Sequence, residues 1–154
     1  MKAYESVSVP GFPNRWIIVG PYSWTGNGGW HGLVETAVTH VVRAIELAAQ
    51  RNATRTEVRT TALDRFHSEM LHRGRSLKYY FTELNAGVHS YFVNADNDIP
   101  VLRASTILQA RRASRSFPAD DYAYAQISDT PQTVAPVRAS ASTRRNPASE
   151  PAPH

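Results

Sequence analysis

The residues best placed to do chemistry lie between Gly11 and Gly32, a stretch that carries six of the eight glycines and all three tryptophans, Trp16, Trp24 and Trp30. A short apolar run, Trp16 to Gly20 (WIIVG), leads into a glycine-rich loop and then into a helical pattern. That order brings backbone amides and the positive end of a helix dipole to one edge, where phosphate or flavin carbonyl oxygens are natural guests. Gly26, Gly28 and Gly32 approximate a dinucleotide fingerprint, but they begin six residues after the run ends, and a true first turn is tight. A flexible glycine loop with tryptophans packed over it satisfies the same pattern. Ser23, Thr25 and Asn27 can donate hydrogen bonds to a ligand or simply face water.

Other chemistry is sparse. There is no cysteine, which excludes disulfides, thiolate metal sites and cysteine nucleophiles. His67 and His72 stand five apart, off the four-residue spacing that sets two ligands on one helix face, so no metal site is expected. His31 falls at the helix start, as a cap or packing residue if not an acid or base. Asp120 and Asp121 are adjacent and point apart, and Tyr79, Tyr80 and Phe81 read as packing. The net charge of +4 comes from fifteen arginines and two lysines scattered along the chain, which argues against a nucleic-acid footprint.

The elements that must position the loop follow from periodicity. WIIVG is apolar without alternation, as in a parallel strand covered on both faces, and such a strand needs neighbours. From Trp30 to Arg51, Val34, Val38, Val41, Ile45 and Ala48 recur at helical spacing, widened by Leu33, Ala37, Val42 and Ala49. Glu35 and Arg51 suit the helix dipole, and Asn52 suits a left-handed stop. Thr56–Thr60 reads as a strand, and Thr61–His72 as a helix behind a threonine cap. Tyr91–Val93 and Ile99–Leu102 flank a hairpin or tight loop in which Asn97 is the candidate for positive φ. Ser114–Tyr124 reads as a strap over a surface.

The last 27 positions hold five of the ten prolines and no aromatic residue, so disorder is expected there. Without an apolar run of about 18 residues or a signal sequence, a soluble, cytoplasmic protein without a transmembrane segment is expected.

The runs VPGFPNRWIIVGPY, LVETAVTHVVRAIELAAQRNATRTEV, SYFVNADNDIPVLRAST and SRSFPADDYAY, in this order and spacing, resemble the C-terminal part of bacterial flavin-containing monooxygenases of the Baeyer-Villiger type. The resemblance covers about residues 4 to 125. It implies an α/β chain forming the C-terminal portion of a flavoprotein fold with two dinucleotide-binding domains, its sheet incomplete here. Residues 1–127 would belong to the FAD domain and 128–154 to a separate tail. It further implies FAD and NADPH as cofactors, with Gly20, Pro21, Gly26, Asn27, Gly28, Gly29, Trp30 and His31 beside the flavin.

The family's two GxGxxG motifs and the signature between them are absent from this sequence, so the chain alone is expected to be inactive. It would act with an N-terminal flavoprotein chain or self-associate, and in the intact enzyme one oxygen atom from O2 would pass to a small-molecule ketone or heteroatom substrate. A noncatalytic module that pairs with a separate flavoprotein chain is the alternative. The catalytic residues are not identified by the resemblance.

Overall fold

A computed structural model describes residues 2–26 and 29–127. Asn27, Gly28 and the expected tail, 128–154, lie outside the described residues. The longest element is α1, Trp30–Gln50. It is followed by β1, Arg55–Val58, and by α2, Thr60–Arg73. A short helix α3, Arg75–Tyr79, widens into a π-turn over Tyr80–Leu84. A loop then leads to α4, Ile107–Ser116, a 3-10 turn at Ala119–Asp121 and β2, Tyr122–Ala125.

α1 runs as the periodicity predicts, and Asn52 closes it at φ +51°. Its buried stripe is rotated from the expected one. Leu33, Ala37, His40, Ala44, Leu47 and Ala48 face inward, whereas Val38, Val42 and Ile45 are exposed. Valine and isoleucine outweigh alanine and histidine in a hydropathy count. Small residues nevertheless let α4 approach, and α1 packs along it with Ala110 and Ser114 also buried.

The β1 strand pairs antiparallel with β2, in the register Arg55 with Ala125 and Val58 with Tyr122. The sheet is incomplete, as expected: the described residues hold this two-stranded antiparallel sheet. WIIVG is not a strand. Trp16 makes one isolated bridge to Ser8, and the run then turns at Val19, whose φ is +63°. A strand buried on both faces takes its stability from a neighbour on each edge, and here only residues 6–8 lie beside the run, through Ile17 N–H to Val7 O and Gly20 N–H to Ser6 O.

Three local expectations are also revised. Arg59, without a side-chain cap, stands at the start of α2 where threonine was expected. Ser114–Tyr124 is not a strap; it holds the end of α4, the 3-10 turn and most of β2. A capping box between Thr106 and Gln109 starts α4. Tyr79 and Tyr80 are half exposed rather than packed. Residues 94–98 form the expected tight loop, closed by Asn94 N–H to Asp98 O at 2.9 Å, with Asn97 at φ +55°.

The core gathers Tyr4, Tyr22, Leu47, Val58, Leu63, Phe66, Met70, Phe117 and Tyr122, so it draws on both ends of the described chain. Among the described residues no helix is long and apolar enough to cross a membrane.

Candidate functional site

The glycine loop is set by backbone pairing on one side and by α1 on the other. Residues 22–24 run parallel to 100–103, through Tyr22 N–H to Pro100 O at 2.6 Å, Trp24 N–H to Val101 O at 3.2 Å and Arg103 N–H to Trp24 O at 2.7 Å. Beyond Trp24 the chain turns at Gly26, φ +75°, and enters α1 through Gly29. Among the described residues no side chain caps this helix start, and its first turn holds no acid, so the positive end of a 21-residue helix is left without a negative partner there.

The space around the loop is open. A side chain added at Gly26 or Gly29 would meet nothing within 4 Å. Trp30 is 58% exposed and His31 is exposed beside it. The Thr25 hydroxyl is buried and has no hydrogen-bond partner among the described residues. On the next turn Arg111 donates to Glu35 at 2.6 Å, which brings a guanidinium within 3.5 Å of where a Cβ on Gly32 would sit.

The structure thus brings Gly26, Gly29, Trp30 and His31 together at the start of α1. Gly20 serves packing. A Cβ there would meet the Ser6 carbonyl oxygen at 2.4 Å, and its N–H donates to that oxygen at 3.0 Å. Pro21 carries the chain from that contact toward the loop. Val19, Ser23, Leu33, Thr36 and Arg103 surround an adjoining cavity of about 20 Å³, room for one water molecule.

Free amides at a helix start, with the helix dipole, can receive anionic or carbonyl oxygens, and an exposed indole offers a face for stacking. Among the described residues no three His, Asp or Glu side chains group to hold a metal ion. His67 lies against Tyr22, and His72 against Arg75.

A second polar constellation escapes sequence reasoning. His40 is fully buried on α1, its ring stacked on Phe117 at 4.3 Å, and its Nε2 shares a 2.6 Å hydrogen bond with the Tyr122 hydroxyl. The same hydroxyl lies 2.6 Å from Ser8 Oγ. Tyr4 donates to Asp121 at 2.5 Å, and Arg65 donates to both Asp121 oxygens at 2.7 Å. Burial, with Arg103 and Arg43 nearby, pushes His40 down to about 3 from its ordinary 6.5, so the ring is neutral. Burial lifts the Tyr4 and Tyr122 hydroxyls well above the usual tyrosine range, assisted at Tyr4 by Asp121. Both remain protonated, and the cluster ties the fold together without offering a reactive proton. The one signal in the sequence was the place of His40 in the stripe Leu33, Ala37, His40, Ala44, Leu47.

No family model matches the sequence, and no curated protein matches it. Solved structures do match. An oxidized steroid monooxygenase bound to NADP covers 82% of the chain with a TM-score of 0.66 at 20% identity. A structure of OTEMO in complex with FAD and NADP covers 81% with a TM-score of 0.55 at 17% identity. The chain spans 23% of the length of each. Its fold is that of one segment of these two monooxygenases.

Proposed function

We propose that the chain is the C-terminal segment of an FAD- and NADPH-dependent monooxygenase of the Baeyer-Villiger type, and that it contributes the flavin-ring edge rather than the pyrophosphate sites. The observation that carries this reading is the uncapped start of α1 with Gly26, Gly29, Trp30 and His31 around it, in a fold that follows a segment of two solved monooxygenases. Residues 1–127 would act as part of the FAD domain.

With FAD bound, the cofactor carries electrons from NADPH to dioxygen, so that one oxygen atom passes to a ketone or a soft heteroatom. The chain's own contribution is positional. The amides at the start of α1 and the helix dipole would hold the carbonyl edge of the ring, the open backbone at Gly26 and Gly29 would permit close approach, and the exposed Trp30 indole would offer an apolar face to it. The oxidisable substrate meets groups supplied by the rest of the enzyme.

The test uses lumiflavin, which carries the ring and no phosphate. Amide shifts confined to residues 25–32, with FAD binding no more tightly than lumiflavin, are expected. Absence of shifts at Gly29, Trp30 and His31 overturns the ring-edge assignment. Tight stoichiometric FAD binding with NADPH oxidation by the purified chain overturns its role as a segment.

A further inference from the structure

α2 and α4 turn matching faces toward one another. Phe66, Glu69, Met70 and Arg73 follow the i, i+3, i+4, i+7 spacing of one face of α2, and Gln109, Arg112, Ala113 and Ser116 follow it on α4. Between them lies a groove of about 300 Å³, at the lower end of the range for small-molecule sites. A further compartment of about 310 Å³ continues it toward Tyr4 and Phe117. Gly26, Gly29, Trp30 and His31 take no part in either.

The floor of the groove is apolar and its spare charge is positive. Phe66 and Met70 are both buried, and the Arg103 guanidinium lies 5.1 Å over the Phe66 ring. Three of its four arginines are matched: Arg65 with Asp121 at 2.7 Å, Arg73 with Glu69 at 2.6 Å and Arg103 with Glu5 at 2.5 Å. Arg112 has no carboxylate partner among the described residues. The Gln109 side chain gives its oxygen to the Thr106 cap and keeps its amide N–H groups, and the Ser105 hydroxyl accepts from Arg103 Nε and keeps its proton. Glu5 and Ser6, at φ +48° and +67°, adopt a left-handed backbone that costs free energy and collects at ligand clamps. Here it accompanies a Glu5 carboxylate set against Arg103 at the base of the groove.

We propose that this groove binds a small organic carboxylate with an apolar or aromatic body. Arg112 takes the carboxylate in its planar fork, Gln109 and Ser105 donate beside it, and the body lies on Phe66 and Met70. An inorganic anion makes no use of the apolar floor, and an uncharged apolar molecule leaves Arg112 unmatched. The assignment goes beyond the ring-edge reading and does not rest on it.

The probe is 4-phenylbutyrate added to the full chain, with 4-phenyl-1-butanol as its uncharged counterpart and acetate as the headgroup alone. Binding is read from the Met70 methyl resonance and the amides of residues 109–116. Saturable shifts are expected, with phenylbutyrate bound about tenfold or more tighter than either control. Arg112→Gln should weaken it about tenfold and Arg112→Glu further. Arg115→Gln, which removes the same charge from the same helix outside the groove, should leave it unchanged. Arg112 is exposed, and far-UV circular dichroism checks that its variants keep the fold.

Absence of a saturable Met70 shift overturns the proposal. Equal binding of the alcohol, or an Arg112→Gln variant that binds like the parent, overturns the carboxylate assignment. An equal loss in Arg115→Gln reduces the effect to overall charge and overturns the site. Phenylbutyrate shifts at residues 109–116 without lumiflavin shifts at residues 25–32 uphold the groove and remove the ring-edge assignment; the reverse result removes the groove alone.

Discussion

The His40 ring nitrogen Nε2 lies 2.6 Å from the Tyr122 hydroxyl and joins the middle of α1 to the first residue of β2 across 82 positions of sequence. A buried neutral imidazole at that junction makes stability depend on pH. Unfolded, His40 takes a proton below its ordinary 6.5; folded, it resists one until about 3. The contribution is therefore complete above 6.5 and is lost as pH falls toward 3, at up to about 1.4 kcal/mol per pH unit. Urea unfolding at pH 7, 6 and 5 should show this slope, and His40→Phe should flatten it.

Asp121 receives three hydrogen bonds from Tyr4 and Arg65 while itself buried. Asp121→Asn weakens all three charge-assisted bonds and should cost about 1.5–3 kcal/mol. Tyr4→Phe leaves the arginine contacts intact and should cost about 1 kcal/mol. Chemical unfolding of both variants at pH 7 measures the difference, and a smaller loss for Asp121→Asn than for Tyr4→Phe would contradict it.

Two ion pairs in this chain should differ in worth. Arg103 and Glu5 meet at 2.5 Å with side chains only 5% and 11% exposed, whereas Arg55 and Glu57 meet at 2.8 Å on the surface. Glu5→Gln strands a buried guanidinium and should destabilise by about 3–5 kcal/mol. Glu57→Gln should change stability by less than about 1 kcal/mol, since water screens that pair. Melting temperatures of the two variants, measured side by side, check the contrast.

Thr106 starts α4 with a reciprocal capping box to Gln109. Thr106→Ala should cost about 1 kcal/mol and Thr106→Ser very little. Loss of helical circular dichroism with retained Tyr122 burial would locate the damage in α4.

What was legible in the sequence had local causes. α1, β1 and α2 follow from apolar spacing, and Asn52 and Asn97 from their tolerance of positive φ. What was not legible depends on distant partners. WIIVG carries the composition of a covered strand, yet its conformation follows from its backbone bonds to Val7 and Ser6, with no parallel neighbour among the described residues. α4 has a charged, arginine-rich sequence with a thin apolar stripe, so it reads as surface until Ala110 and Ser114 are seen against α1. At the candidate site, the glycine and tryptophan clustering drew attention to the loop before α1, but Gly20 belongs to packing against Ser6, and that close approach leaves no trace in spacing.

The union of Tyr4 with Asp121 spans 117 positions, and β1 waits on β2 in the same way. A chain made from its N-terminus at about 5–20 residues per second therefore emerges from the ribosome with its first aromatic anchor unpaired for several seconds, until nearly the whole described length has been synthesised. Such sequence-distant closure slows folding and prolongs exposure of the early apolar segments. Chaperone demand during translation is thus built into the topology, and a stop codon introduced shortly before residue 121 would release a polypeptide that has α1 and α2 but nothing to close them.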